Sequence, residues 1–192
     1  PCWVGYIGVD DVDASVAAIT AKGGAVLMPA MDLERVGRMA MVADPQGAAF
    51  YVMKGASDET SHSFAALAPK VGHCAWNELS TSDPEAAKAF YGALFGWTKD
   101  GELDMGPMGK YEFLKVSGGR FALGAVMPKM PEMPVSAWSF YFRVPDIDAG
   151  AAAVSANGGT ILQTPMEIPG GDYSMMALDP SGAAFGLVGA RA

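Results

Sequence analysis

Histidine and cysteine are both scarce in this chain, which has two of each among 192 residues: His62, His73, Cys2 and Cys74. Neither cysteine belongs to a CxxC pair, and two cysteines are too few for the disulfide framework of a small secreted domain. We therefore expect a reducing, cytoplasmic setting. A metal site of two histidines and one carboxylate would need both histidines in one place, and they fall in a polar linker and at a strand start. The composition thus predicts no metal cofactor of this type.

Positive charge is also limited, with 13 Lys and Arg against 21 Asp and Glu and a formal net charge of −8. The cations form no cluster, so the sequence does not predict the basic surface that nucleic acids or anionic membranes require. No apolar run approaches the roughly 18 residues needed to span a bilayer. Because 51% of the residues are nevertheless apolar, a sizeable core can form. We predict a globular protein with no nucleic-acid or membrane partner.

The chain contains an internal repeat. The phrase "DPQGAAF" at 44–50 returns as "DPSGAAF" at 179–185, which is 179 − 44 = 135 residues later. At that spacing 3–50 and 138–185 align without a gap, and 20 of the 48 positions are identical. Such an ungapped match indicates that one structural unit is present twice.

Both copies have the same predicted order of elements, βαβββ. A strand with alternating apolar residues comes first, and Asp11 or Asp146 then caps an alanine-rich helix. Paired glycines end each helix, because glycine adopts the left-handed cap conformation at little cost. Three strands follow, and the Asp-Pro-x-Gly sequence between the last two has the residues that a type I turn favours.

A third unit, at 73–127, lies between the two copies and has the same predicted order. Its helix, "SDPEAAKAFYGALFGW", has Asp83 as its cap, Pro84 at its first position and Gly96 at its end. Three strands follow this helix, the last of them in "RFALGAVM" at 120–127. The sequence therefore predicts three βαβββ modules.

Paired βαβββ units, the "AKAFYGALFGW" helix and the closing DPxG hairpin resemble the vicinal oxygen chelate superfamily. That superfamily contains glyoxalase I, extradiol dioxygenases and the bleomycin and fosfomycin resistance proteins. The chain also resembles two-domain glyoxalase-like proteins that have "WNEL" on the first strand and "DPxGA" at the hairpin. The resemblance implies an α+β fold in which two modules form a curved, eight-stranded mixed sheet around a cleft.

The resemblance also implies a domain organisation. Residues 71–192 would form a complete glyoxalase-like domain from modules 71–127 and 135–190, and 55–70 would be a linker. Residues 1–54 match the second module of a pair, so we expect that the first module of an N-terminal domain is missing. The apolar face of 1–54 would then lack its partner and could mediate a homodimer.

The metal ligands of the superfamily lie on the first strand of each module and just after the DPxG turn. The resemblance places these positions at Trp76, Ser139 and Gly186, with Val4 and Tyr51 in the partial domain. None of these residues is a good ligand for Zn²⁺, Fe²⁺, Ni²⁺ or Mn²⁺. The resemblance therefore implies a member of the superfamily without the usual metal.

Glu78 is the candidate catalytic residue. It lies two residues after Trp76, so both side chains point to the same face of a strand. A carboxylate there could act as a general base, bind a polar group of a ligand, or simply form a salt bridge. His73 and Cys74 are more typical of structural residues than of catalytic ones. The predicted ligand-binding residues are Trp76, Glu78, Ser139, Tyr141, Tyr111 and Met176.

Two functions remain open on these grounds. The first is a metal-independent binder of a small apolar or aromatic molecule, held in the cleft between the modules. The alternative is a glyoxalase-like lyase, isomerase or oxygenase, which would use Glu78 or a divalent metal held by non-standard ligands. The absent ligands favour the first.

Overall fold

The structure is a computed structural model that describes residues 1–65, 68–119 and 122–191. This part of the chain contains twelve strands and three α-helices, with one turn of 3₁₀ helix at Gly106–Met108. The elements are β1 (Tyr6–Gly8), α1 (Val12–Ala21), β2 (Ala25–Leu33), β3 (Gly37–Ala43), β4 (Ala49–Gly55), β5 (Cys74–Thr81), α2 (Pro84–Phe95), β6 (Trp97–Asp104), β7 (Lys110–Val116), β8 (Ala122–Pro128), β9 (Ala137–Arg143), α3 (Ile147–Ala156), β10 (Thr160–Glu167), β11 (Tyr173–Leu178) and β12 (Ala184–Gly189).

The strands form two sheets whose order repeats the same unit. The four-stranded sheet has the order β1-β4-β3-β2, and the eight-stranded sheet has the order β10-β11-β12-β9-β5-β8-β7-β6. In the two duplicated modules the first strand pairs in parallel with the last strand, and the later strands pair antiparallel. The predicted α+β fold of βαβββ modules with a mixed eight-stranded sheet is confirmed.

Local capping explains where the helices begin. The side chains of Asp11, Asp83 and Asp146 each accept a hydrogen bond from the backbone N–H three residues later, at 3.0, 3.0 and 2.7 Å. Each bond satisfies one of the N–H groups that lack a partner in the first turn. Helix α2 ends at Gly96, which has the left-handed φ of 69° that favours glycine. These boundaries agree with the sequence prediction.

Other boundaries differ from the prediction. The first strand is short, Tyr6–Gly8, and before it the Trp3 ring packs against Phe142 with the ring centroids 5.1 Å apart. The predicted linker at 55–70 begins with Gly55, the last residue of β4, and is otherwise irregular where it is described, except that Phe64 bridges Cys74. Residues 66–67 lie outside the described part. The first two residues of the strand predicted at 120–127 also lie outside it.

Backbone contacts divide the chain into two compact units. Unit 1 comprises Pro1–Trp3, Ser61–Asn77 and Ser139–Ala192, and unit 2 comprises Val4–Thr60 and Glu78–Trp138. Each unit has its own apolar core. In unit 2, α1 packs on β2, β3 and β4, α2 packs on β6 and β8, and the two helices contact each other. In unit 1 the core lies between α3 and the strands β10, β11 and β12.

The longest helix, α2, has 12 residues. Among the described residues, no helix is both long enough and apolar enough to cross a membrane.

Candidate functional site

In unit 1, two of the predicted ligand-binding residues flank Gly186 in register. Gly186 on β12 pairs with Tyr141 on β9 and with Met176 on β11, so all three lie on one face of the sheet. The ring of Tyr141 lies over Gly186: a Cβ atom added to this glycine would be 2.2 Å from Cδ1 of the ring. The tyrosine is 9% exposed. Tyr141 therefore occupies the space that a side chain at position 186 would need.

The other two predicted residues of unit 1, Ser139 and Trp76, lie on β9 and on the neighbouring strand β5. Ser139 lies two residues before Tyr141 on β9 and so belongs to the same face. Trp76 lies on β5, the strand next to β9 in the sheet. Both Ser139 and Trp76 are half-buried.

In unit 2, Glu78 and Tyr111 form a direct pair. The hydroxyl of Tyr111 donates a hydrogen bond to Oε2 of Glu78 at 2.8 Å. The Tyr111 ring also meets the ring of Phe113 edge to face, with the centroids 5.8 Å apart. A hydrogen bond to a carboxylate is short and directional, so Tyr111 orients Glu78 on its strand. The structure thus brings these two predicted residues together.

The residues at the expected metal positions do not fit a metal ion. Gly186 has no side-chain donor atom, and Tyr141 fills the space of a replacement side chain. In the four-stranded sheet, Tyr51 stacks on Tyr6 with the ring centroids 4.5 Å apart and the planes 8° from parallel. The described residues contain no group of three or more His, Cys, Asp or Glu side chains that could hold a metal.

His73 and Cys74 are placed as structural residues. Nδ1 of His73 is 3.1 Å from the carbonyl oxygen of Val71, two residues away. The Cys74 thiol donates to the carbonyl oxygen of Trp76 at 3.5 Å, and burial raises the pKa of this thiol. A raised pKa disfavours the thiolate, which is the nucleophilic form. Neither residue therefore shows the environment of a catalytic group.

Unit 2 contains a buried series of hydrogen bonds that was not predicted from the sequence. Trp138 Nε1 donates to the Tyr91 hydroxyl at 3.0 Å, and this hydroxyl donates to Oδ2 of Asp44 at 3.1 Å. Oδ1 of the same aspartate accepts from the backbone N–H groups of Gln46 and Ala48, each at 2.9 Å. Asp44 is 2% exposed and Tyr91 1%. The DPxG sequence predicted the turn, but no local signal indicated that α2 and β9 would bury it.

The two DPxG aspartates have opposite electrostatic environments. Burial raises the pKa of Asp44, which outweighs the hydrogen bonds that favour its charged form. At the equivalent position 179 the carboxylate accepts hydrogen bonds from the Ser181 hydroxyl and from backbone N–H groups, and these lower the pKa of Asp179. One turn sequence thus stabilises the neutral acid in one copy and the carboxylate in the other.

We predict opposite pH dependences for the Asp44→Asn and Asp179→Asn variants. The raised pKa of Asp44 makes its contribution to folding stability largest below the ordinary value of 3.8, and this contribution decreases as pH rises through the folded-state pKa. The contribution of Asp179 is present above 3.8 and is lost as pH falls through its lowered pKa. Urea unfolding of wild type and both variants between about pH 2.5 and pH 7 measures this. Stability differences that change in the same direction for both variants would contradict the assignment.

The family relationship is shown by direct comparison. The family model described as the Glyoxalase/Bleomycin resistance protein/Dioxygenase superfamily matches residues 70–187. The chain belongs to this superfamily. The resemblance inferred from the βαβββ modules and the DPxG hairpin is therefore confirmed.

Relatives in the superfamily extend over nearly the whole chain. CFP32 of Mycobacterium tuberculosis, whose name describes it as a candidate glyoxylase, is 38% identical over 188 residues, which are 98% of this chain and 69% of CFP32. The anthracycline biosynthesis protein DauV of Streptomyces sp. strain C5 is 33% identical over 196 residues, covering 98% of this chain and 66% of DauV. The chain thus spans about two thirds of each relative.

Solved structures agree in fold. The Mn(II)-bound glyoxalase from Novosphingobium aromaticivorans superimposes with a TM-score of 0.64 at 17% identity, covering 96% of this chain and 61% of that one. The 2,2',3-trihydroxybiphenyl 1,2-dioxygenase of Sphingomonas wittichii gives a TM-score of 0.63 at 16% identity, with coverages of 98% and 71%. At such low identity the likeness concerns the fold and not the chemistry.

Proposed function

We propose that this member of the superfamily binds a small apolar or aromatic molecule without a metal ion. The observation that carries the proposal is the Tyr141 ring over Gly186, because an aromatic ring occupies the space where the resemblance to the superfamily implies a metal-binding carboxylate. The ligand would lie on the face of unit 1 that carries Trp76, Tyr141 and Met176. Aromatic and thioether side chains adapt to flat apolar molecules and attract them by dispersion.

The names of two relatives support an aromatic ligand. DauV and DnrV are both named as anthracycline biosynthesis proteins, and both are 33% identical to this chain. Anthracyclines are flat polycyclic aromatic compounds, and such compounds suit the residue types on this face. An anthracycline is therefore the first probe to test.

Metal content and ligand binding test the proposal together. The purified protein should contain much less than one divalent ion per chain after dialysis, as measured by plasma mass spectrometry. It should also bind an anthracycline with equal affinity in EDTA and in Mn²⁺, as followed by quenching of the anthracycline's fluorescence. A stoichiometric bound metal, or binding that requires Mn²⁺, would overturn the metal-independent function.

Trp76→Ala should weaken anthracycline binding at least tenfold, which corresponds to about 1.4 kcal/mol. The physical reason is the loss of a large aromatic surface from the proposed binding face. Trp3→Ala is the matched control, because Trp3 packs against Phe142, whose side chain alternates with Tyr141 to the opposite face of β9. Thermal unfolding of both variants shows whether either affects folding. Equal loss of affinity in the two variants would place the ligand elsewhere.

Glu78→Gln separates binding from catalysis. Glutamine keeps the volume and an oxygen that can accept from the Tyr111 hydroxyl, so the affinity for an apolar probe should change less than threefold. A glyoxalase-like enzyme with Glu78 as its general base would lose its turnover in the same variant. Consumption of a bound compound by the wild type, abolished in Glu78→Gln, would establish the enzymatic alternative.

A further inference from the structure

A shallow apolar groove lies beside α3 in unit 1. It has a volume of about 310 Å³ and is formed by α3, by the strands β11 and β12, and by the DPSG turn between them. Its apolar lining includes Val154, Leu178, Phe185 and Leu187, and Asp179 also belongs to the lining. Phe185 and Val154 are only half-buried.

The internal repeat provides a second copy of this surface in unit 2. A shift of 135 residues relates Val154 to Ile19 and Phe185 to Phe50. Ile19 and Phe50 are 0% and 2% exposed, so the equivalent surface is buried in the first copy. Apolar residues thus occupy these two equivalent positions in both copies. They are buried in unit 2 and partly exposed in unit 1.

Helix α2 covers the first copy with two aromatic side chains one turn apart. The ring centroid of Phe50 lies 5.6 Å from that of Tyr91 and 6.1 Å from that of Phe95. The Tyr91 hydroxyl then reaches Oδ2 of Asp44. A tyrosine and a phenylalanine at i and i+4 on one helix thus match this surface in both shape and hydrogen bonding.

The DPSG turn of the second copy contains the equivalent hydrogen-bond acceptor, the carboxylate of Asp179. Oδ1 of Asp179 accepts from the backbone N–H groups of Ser181 and Ala183 at 2.8 and 3.0 Å, as its counterpart does in the first turn. Among the described residues, no group donates to Oδ2 of Asp179, the atom equivalent to the one that Tyr91 reaches. The groove in unit 1 therefore has the same kind of apolar lining and the same carboxylate acceptor as the surface that α2 covers in unit 2.

We propose that this groove binds the helix of a fourth βαβββ module in the whole protein. That helix would place a tyrosine against Asp179 and an aromatic residue one turn later against Phe185. The length of the relatives allows such a module: 188 residues are 69% of CFP32, which leaves about 84 residues, more than the span of 3–55 that makes the first module here. The α2 helix of a second copy is a poorer occupant of the groove, because in each copy the Tyr91 ring of α2 already packs on Phe50 of the same chain.

Cysteine labelling tests whether the groove is covered. Ala153 lines the groove, whereas its neighbour Ala152 is also exposed on α3 but is not part of the lining. Ala153→Cys and Ala152→Cys are made in a Cys2→Ser background, in the 192-residue chain and in the complete gene product, and reaction with a maleimide is timed. We expect the Ala153→Cys thiol to react at least tenfold more slowly in the complete protein, and the Ala152→Cys thiol to differ less than twofold.

Two results would overturn the proposal. Equal rates for Ala153→Cys in the two proteins would mean that no further module covers the groove. Protection that already appears in the 192-residue chain and increases with its concentration would identify a second copy as the occupant. Because no ligand is involved, either result leaves the proposed binding function to its own test.

Discussion

Replacing Asp44 with alanine should destabilise the chain by about 2–4 kcal/mol, more than any other change considered for the DPxG turns. The carboxylate accepts the Tyr91 hydroxyl and two backbone N–H groups at a site that is 2% exposed. Alanine would leave these three donors without their partner in the core, and water reaches them poorly. A buried donor without a partner loses its solvation without compensation.

Asp179→Ala is the matched control, since the turn sequence around it is nearly identical. The hydrogen bond that Asp179 accepts from the Ser181 N–H is exposed and the one from the Ala183 N–H is only partly buried, so water can replace the lost acceptor more readily than at Asp44. The loss of stability should therefore be clearly smaller than for Asp44→Ala. Urea denaturation at pH 7 compares the two free energies of unfolding, and equal losses would show that the burial of Asp44 contributes nothing.

Gly186→Ala should cost about 1–3 kcal/mol of stability, although it adds a single methyl group. A Cβ atom at this position would be 2.2 Å from the Tyr141 ring, so the ring must move. Tyr141 is 9% exposed and pairs with Gly186 across β9 and β12. Displacement of its ring therefore disturbs the packing around it. The expected result is a lower free energy of unfolding and, under the proposed function, weaker ligand binding.

A double-mutant cycle with Tyr141→Ala tests this explanation. If the ring is the cause, Gly186→Ala should cost much less in the Tyr141→Ala background than in the wild type. Additive losses would show that the cost arises from the backbone of β12 and not from the ring. The cycle also identifies the residue that excludes a side chain from the position where the resemblance to the superfamily implies a metal ligand.

The repeat and the module order could be predicted because they depend on short-range features. The Asp11, Asp83 and Asp146 caps and the strand alternation are each set by neighbouring residues, and the structure contains them where expected. Glu78 and Tyr111, two predicted site residues 33 positions apart, form a hydrogen bond. The superfamily resemblance supplied the pairing of strands that local patterns do not contain.

The candidate site was predicted less completely, for a physical reason. Gly186 was expected only to lack a ligand atom, and the structure adds that the Tyr141 ring fills the space above it. Which side chain fills a vacant volume depends on strands that are far apart in the sequence. No alternation or spacing rule contains this information.

By itself, the sequence determined three βαβββ modules, their caps and turns, and the residue types at the expected metal positions. Only the tertiary structure decided that Asp44 is buried beneath Tyr91 while Asp179, in the same turn sequence, is only half-buried. A turn forms from the conformational preferences of four consecutive residues. The solvation and pKa of its aspartate depend on what packs against it, and in this protein that is a helix about 40 residues further along the chain.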